Sequence, residues 1–279
     1  MAIKTAKPQP QLIHERLHMT VDNTTLDIAV VRREGGLIPI LFLHGWGSTK
    51  EDYIDIALNK AFHGRPFIAY DAPGCGKTVC DNLSKPNIEF LVATAEAVLQ
   101  HFDIKRFHLI GHSMGGLTAL ELASRIPHGV ASFIDIKGNL AAEDCFITRQ
   151  IFDHPEKDPQ EFLDYFIERT LKSPFYASGI YAAGLRDRVR AEAIKGIFES
   201  MVNHSDNGGL VAKFIAAPFP RMFMFGEQHA TLSYLPKLAS SSVELAEIPS
   251  AGHFPMYSNP VAMWDIIWRF LNKVEADQS

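Results

Sequence analysis

Ser113 is the side chain of this sequence whose setting most favours covalent chemistry. It is the serine of a GxSxG pattern at residues 111–115, between the apolar stretch 106–110 and the stretch 117–125, where apolar residues recur at helical spacing. A serine between a strand and a helix lies in a sharp turn, the nucleophile elbow, and the flanking glycines leave room for that turn. The N-terminus of the helix offers N–H groups and a positive dipole end to a developing oxyanion. A serine hydroxyl also needs a base within hydrogen-bond reach before it can attack.

The composition is that of a globular chain large enough for a sizeable core. It has 279 residues, 47% of them hydrophobic, and a net charge of −5 from 27 basic and 32 acidic side chains. The lack of a basic run argues against nucleic acid, and no spacing typical of a metal or cofactor site is present. Apolar runs such as 37–43 are too short for a membrane span and Met1–Gln11 lacks a signal-peptide core, so we expect a cytoplasmic protein. Cys75, Cys80 and Cys145 are expected to be reduced thiols.

The order of the predicted elements indicates an α/β fold. Predicted strands cover residues 13–20, 25–33, 38–43, 66–70, 106–111, 130–136, 221–225 and 243–248, and predicted helices cover 50–62, 88–102, 114–126, 231–239 and 260–273. Strands that alternate with helices are typical of a mostly parallel sheet covered on both faces, here with eight strands. Residues 139–217 interrupt the alternation with helical, aromatic-rich sequence. We therefore predict a core of residues 1–138 and 218–279 and a helical lid of residues 139–217.

Four motifs at predicted strand ends give the chain its resemblance to a known family. They are HGWG at 44–47, DAPGCG at 71–76, GHSMGG at 111–116 and AGHFP at 251–255. In this order they resemble the motifs of the α/β-hydrolase fold family over essentially the whole chain. The resemblance implies that Ser113 is the nucleophile and that His253 is its base. It also implies an oxyanion hole made by the backbone N–H groups of Trp46 and Met114, whose side chains are then expected to be pocket wall.

The chain departs from the family pattern at the acid that should orient His253. In much of the family an Asp follows the strand here predicted at 221–225, but with Gly226 in register that position is His229. In another branch, similar to haloalkane dehalogenases and some esterases, the acid lies about two dozen residues beyond the nucleophile, and 137 − 113 = 24 places Lys137 there. A lysine cannot orient His253, and as a cation it disfavours protonation of that histidine.

Three hypotheses for the acid remain open at this point. Asp135 lies on the same strand face as Lys137, but two residues along a strand displace it by roughly 6.6 Å. Glu227 directly follows the strand 221–225 and can curl toward His253. In the third hypothesis position 137 is the acid position and is filled by lysine, so that the chain binds substrate well and turns over slowly. A carboxylate introduced at 137 is then expected to raise turnover.

The sequence favours a serine hydrolase that cleaves a carboxylic ester or lactone of a small to medium, partly apolar substrate through an acyl-enzyme on Ser113. Serine at the elbow argues against haloalkane dehalogenase and epoxide hydrolase chemistry, which needs an Asp there. Two alternatives stay open: a ligand-binding receptor or pseudoenzyme on the same fold, and a cofactor-free C–C hydrolase or haloperoxidase.

The aromatic residues of the insertion predict a lid over an apolar pocket. The alternative is a structural cap or a dimer surface, and a homodimer is compatible with the sequence. The expected partner is a small-molecule ester or lactone, with no nucleic acid and no membrane.

Overall fold

A computed structural model describes residues 11–153 and 158–277. Residues 1–10, on which the expectation about a signal segment depends, lie outside the described residues. The strands of the described chain are β1 (Ile13–Val21), β2 (Thr24–Arg33), β3 (Ile40–Leu43), β4 (Phe67–Tyr70), β5 (Val79–Cys80), β6 (Phe107–His112), β7 (Val130–Ile136), β8 (Arg221–Gly226) and β9 (Glu244–Ile248). Its α-helices are α1 (Ile88–His101), α2 (Met114–Arg125), α3 (Pro159–Leu171), α4 (Ser178–Ala183), α5 (Leu185–Arg188), α6 (Ile194–Asn207), α7 (Leu210–Ala216), α8 (Leu235–Ala239), α9 (Pro255–Ser258) and α10 (Pro260–Asp277).

The strands form one sheet in the order β1-β2-β4-β3-β6-β7-β8-β9, with β5 paired to β2. Strand β2 pairs antiparallel with β1, β4 and β5, and the strands from β4 to β9 along this order pair in parallel. The predicted α/β class and its mostly parallel eight-stranded sheet are confirmed. Of the strands in the described residues, the sequence missed only β5, because two residues are too few to show a periodic pattern.

Burial explains why the central strands read as continuous apolar runs. Every residue of β3, β4, β6, β7 and β8 is buried, as expected where helices cover both faces of a parallel sheet. The edge strand β1 instead alternates between exposed and more buried residues. The register of the central strands brings the end of β3, the end of β6 and the end of β7 to one edge of the sheet, where ligands of such folds bind.

Two predicted helices differ from the structure. Residues 50–62 form two 3₁₀ helices, Lys50–Ala57 and Lys60–Phe62, separated where the Asn59 side chain accepts from the N–H of Ala61 and starts the second one. Of the predicted helix 231–239 only Leu235–Ala239 is α-helical, because Pro236 fits the first turn of a helix but not its interior.

Between β7 and β8 the chain forms the predicted helical insertion, which contains α3 to α7. The exact boundaries between core and lid stay a prediction. Within the described part of the chain, no helix is both long enough and apolar enough to span a lipid bilayer.

Candidate active site

Ser113 lies in the strained turn that its sequence predicts. It connects β6 to α2 with φ +53° and ψ −119°, a backbone conformation that costs of order 1–3 kcal/mol and persists only where the surroundings enforce it. The N–H of Ser113 donates to the carbonyl of Ile136 (3.1 Å), which fixes the turn against β7. Close packing requires glycine at both flanks: a Cβ on Gly111 would lie 2.4 Å from the Gly115 carbonyl oxygen, and one on Gly115 would lie 2.1 Å from that of Leu43.

His253 lies in the loop after β9 and lines the same small cavity of about 30 Å³ as Ser113. His112, at the end of β6, holds this loop: its Nε2 donates to the carbonyl of His253 (2.8 Å), and the two imidazole rings are 5.0 Å apart. The structure therefore brings together the serine and histidine predicted from sequence, although they are 140 residues apart in the chain.

The loop after β3 packs directly against the elbow. A Cβ on Gly45 would lie 3.2 Å from the Cβ of Ser113. The carbonyl of Gly45 accepts from the Nδ1 of His44 (2.7 Å) and from the N–H of Ser48 (3.1 Å). Because a trans peptide points its N–H opposite to its C=O, these bonds orient the N–H of Trp46 away from both donors.

Met114 supplies the second predicted donor. It is the first residue of α2, so its N–H is one of the helix N–H groups without an intrahelical acceptor. The Trp46 indole packs edge-on against Phe166 (5.2 Å) and Phe198 (4.7 Å) of the insertion, as expected for pocket wall.

Lys137 follows β7 as predicted, but its ammonium does not bond to His253. Its Nζ lies 2.5 Å from Oδ1 of Asp144, and both side chains are almost fully buried, with exposed fractions of 2% and 1%. The hydroxyl of Tyr234 donates to the same Oδ1 (3.0 Å). The second oxygen of Asp144 accepts the N–H groups of Leu140 (2.8 Å) and Ala141 (2.9 Å). Lys137 therefore neutralises a buried carboxylate, and the hypothesis that position 137 is the acid position stays a prediction.

Neither candidate acid contacts His253. Asp135 accepts the N–H of Gly138 (2.8 Å), and burial raises its pKa to about 8, which disfavours the charged carboxylate. Glu227 accepts the N–H of Ser250 (2.8 Å) and so supports the turn before the histidine loop. Among the described residues, the buried Nδ1 of His253 has no hydrogen-bond partner.

Three histidines around the elbow are held neutral. Burial, above all, lowers the pKa of His112 and of His229 to about 4 each. The pKa of His253 lies well below its ordinary value, because of burial first and then the nearby His112, Lys137 and His229. The effect of Lys137 has the direction predicted from sequence. An unprotonated His253 at neutral pH is the form that can accept a proton from serine.

Acid is expected to destabilise the fold through these histidines. Unfolded histidines titrate near pH 6.5, so below that pH the unfolded chain binds protons at His112, His229 and His253 that the folded chain does not bind. The folded pKa is about 4 for His112 and His229, and that of His253 is well below its ordinary value. Each such group lowers the free energy of unfolding by about 1.4 kcal/mol per pH unit. Asp135 has the opposite sign, since its raised pKa stabilises the fold at low pH and this contribution is lost as pH rises toward 8. Below pH 6.5 the destabilising effect of the three histidines is larger than the stabilising effect of Asp135.

Urea unfolding at pH 5, 6, 7 and 8 measures this balance, and we expect maximal stability near pH 6.5 with a steep loss toward pH 5. Stability that is flat or rises between pH 6.5 and pH 5 would contradict the neutral histidine cluster.

A larger pocket of about 390 Å³ opens beside the small cavity. The two share Phe146, Ile147, Tyr181, His253 and Phe254. Aromatic side chains of the insertion form much of its wall, and Arg169 and Lys172 lie at the same wall. Two bonds fix the insertion over the core here: the Tyr181 hydroxyl donates to the Trp46 carbonyl (2.9 Å), and the Tyr176 N–H donates to Oε1 of Gln228 (2.8 Å).

Fold, elbow and histidine loop together define an α/β-hydrolase. The family model described as "Alpha/beta hydrolase family" matches residues 40–266, and the chain belongs to that family. It is 24% identical over 250 residues to a 2-succinyl-6-hydroxy-2,4-cyclohexadiene-1-carboxylate synthase of Klebsiella pneumoniae, a match that covers 86% of this chain and 96% of that one. It is 37% identical over 99 residues to a dihydrolipoyllysine-residue acetyltransferase component of an acetoin cleaving system of Pseudomonas putida, covering 36% of this chain and only 26% of that protein.

The fold is also similar to that of a solved N-acyl homoserine lactonase variant in complex with N-hexanoyl homoserine. The TM-score is 0.73, the sequence identity is 19%, and the similarity covers 95% of this chain and 98% of the lactonase. This likeness concerns the fold alone.

Sequence reasoning missed Asp144 and Tyr234, the partners of the Lys137 cluster. It also gave His229 no role, although its position relative to Gly226 was the available signal.

Proposed function

We propose that this chain is a serine hydrolase that cleaves a carboxylic ester or lactone of a small to medium, partly apolar substrate through an acyl-enzyme on Ser113. The observation that carries the proposal is the accessible, strained Ser113 beside an unprotonated His253 in one cavity. The lactonase with the same fold acts on a cyclic ester, which supports this substrate class by analogy.

The reaction begins when Oγ of Ser113 attacks the acyl carbon and its proton passes to Nε2 of His253. The carbonyl oxygen takes up the negative charge and accepts from the N–H groups of Trp46 and Met114. On collapse the bond to the leaving alkoxide breaks, and His253 returns the proton to that oxygen. A water molecule, deprotonated by His253, then attacks the acyl-enzyme, and Ser113 leaves with the proton.

The composition of the pocket wall supports a partly apolar substrate. Phe146, Phe175 and Phe254 line the pocket of about 390 Å³ that adjoins the cavity of Ser113. This volume is within the range of small-molecule sites, which are mostly apolar with a few polar groups.

Phe146→Ala and Phe175→Ala are each expected to raise KM for hexanoyl and longer p-nitrophenyl esters by about three- to tenfold, because each removes one aromatic contact with the substrate. Both side chains are partly exposed, at 48% and 40%, so the free energy of unfolding should change by about 0.5 kcal/mol or less. Phe152→Ala is the matched control, since Phe152 is 50% exposed in the same insertion but is not part of this pocket wall.

Steady-state kinetics over a series of acyl lengths, together with thermal unfolding, tests the lid. Variants at 146 and 175 that behave like the Phe152 variant in KM would show that the insertion does not contact substrate.

The second candidate function is a ligand-binding protein without turnover. The Lys137–Asp144 pair supports it, because within the described part of the chain no carboxylate bonds to Nδ1 of His253. Binding of an ester in the absence of any hydrolysis distinguishes this function from the first.

A further inference from the structure

Two of the described residues that line the same pocket each have a buried imidazole nitrogen without a hydrogen-bond partner. These nitrogens are Nδ1 of His253 and Nε2 of His229, and no hydrogen bond to either is formed within the described chain. Both residues line the pocket of about 390 Å³, and their ring centres are 5.9 Å apart at an interplanar angle of 73°. Buried polar atoms are nearly always hydrogen-bonded, and the exceptions concentrate where a site does chemistry.

We propose that His229 takes the place of the missing acid: its Nε2 accepts the Nδ1–H of His253 and so holds His253 in the tautomer whose Nε2 serves Ser113. The inference rests on the proposed function, because it assigns a positioning residue to that same reaction. His229 ends the 3₁₀ helix Glu227–His229 directly after β8.

The other groups near His253 are bonded to other partners or lie outside this pocket wall. His112 uses its Nε2 to donate to the His253 carbonyl, and its Nδ1 faces Gly45, 2.7 Å from where a Cβ on that glycine would lie. The Nζ of Lys137 is bonded to Asp144. Glu227 is bonded to the N–H of Ser250. Within the described part of the chain, the Nδ1 of His112 is also without a partner, but it faces Gly45 and His112 does not line the pocket. Among the described residues that line this pocket, His229 is the one with an unused acceptor and a ring adjacent to His253.

The ring-centre separation of 5.9 Å is short enough for the two nitrogens to approach hydrogen-bond distance once the rings turn toward each other. Catalytic hydrogen bonds are often long before substrate binds and tighten in the complex. Packing holds the ring of His229 in place: it stacks on Phe175 of the insertion with an interplanar angle of 6° and a centre distance of 6.1 Å. A substrate that fills the pocket contacts the same wall, which includes Phe175 and His229.

The chemistry needs no proton transfer to His229. With its own proton on Nδ1, neutral His229 offers the Nε2 lone pair, and a pKa lowered to about 4 by burial keeps it neutral at working pH. When Ser113 gives its proton to His253, the imidazolium carries protons on both nitrogens and donates Nδ1–H to His229. A neutral acceptor stabilises this cation less than a carboxylate does, so the arrangement predicts a working but slow hydrolase.

The test compares the wild type with His229→Phe and His229→Asp. Phe keeps a buried ring against Phe175 but accepts no hydrogen bond. We expect the second-order rate of Ser113 phosphonylation by a fluorophosphonate to fall at least about tenfold, because the loss of one hydrogen bond has about this effect. Asp provides a carboxylate, which should restore the rate at pH 8. It should also shift the acid limb of the pH–rate profile to higher pH, because a nearby negative charge raises the pKa of His253.

Equal rates for wild type and His229→Phe, or an acid limb that does not move in His229→Asp, overturn the proposal, as does a wild type that does not label. Thermal unfolding of each variant shows whether a lost rate reflects lost folding, and the shift of the acid limb in His229→Asp is a readout that packing alone does not move. Labelling that follows this pattern without hydrolysis of any p-nitrophenyl ester or lactone leaves the role of His229 standing and contradicts the proposed function instead.

Discussion

Ser113→Ala is expected to reduce hydrolysis of p-nitrophenyl esters by about 10⁴-fold or more, since the bond-forming oxygen is removed and only binding and the oxyanion donors remain. The fold should be unaffected. Alanine has the same Cβ as serine at φ +53°, so the strain of the turn is unchanged, and the turn is held by the N–H of residue 113 and by the packing of Gly111 and Gly115.

Ser124→Ala is the matched control for this variant. Ser124 lies on the same helix, α2, and its hydroxyl donates to the carbonyl of Leu120 (2.8 Å), away from the site. Its loss should leave kcat unchanged. Hydrolysis by the Ser113 variant above about 1% of the parent rate, after removal of contaminating esterase, would show that another group is the nucleophile.

Lys137→Met is expected to lower the free energy of unfolding by about 3–5 kcal/mol, because it leaves the buried carboxylate of Asp144 without its counter-charge. Urea unfolding at pH 7 measures the change. Lys137→Met combined with Asp144→Asn should recover much of the loss, since removal of both charges of a buried pair is often neutral. Lys105→Met is the control: its pair with Asp103 is 80% and 84% exposed, and such pairs contribute little. Equal destabilisation by the Lys105 and Lys137 variants would contradict the account of this cluster.

The structure also changes what we expect from Lys137→Glu. The sequence alone predicted a gain in turnover from a carboxylate at this position. A glutamate there meets the buried carboxylate of Asp144, so two like charges are forced together in place of the Lys137–Asp144 ion pair. We expect this variant to be less stable than Lys137→Met, without a gain in activity.

The elbow and the α/β class with its mostly parallel sheet were predictable from sequence because local patterns indicate both. The apolar stretch before Ser113 and the periodic stretch after it require a strand, a sharp turn and a helix, and the parallel sheet then places the motif-bearing loops at one edge. His253 was predictable from its motif alone.

The surroundings of the acid position were not predictable, because they depend on where side chains point after distant segments pack. Lys137 has φ +46°, and its partner Asp144 lies in the 3₁₀ helix Ala142–Cys145 and also accepts from Tyr234, beyond β8. No spacing rule connects these three residues. The orientation of His229 toward His253 likewise depends on how the loops after β8 and β9 meet.

Mass spectrometry of fluorophosphonate-treated protein tests the central claim most directly. Trypsin releases residues 107–125 as one peptide, which contains Ser113, Thr118 and Ser124 as its hydroxyl side chains. We predict a single phosphonyl adduct per chain, located at Ser113 by fragmentation and absent from the Ser113→Ala variant. An unmodified wild-type chain, or an adduct on any other residue, would contradict the claim that Ser113 is an activated nucleophile.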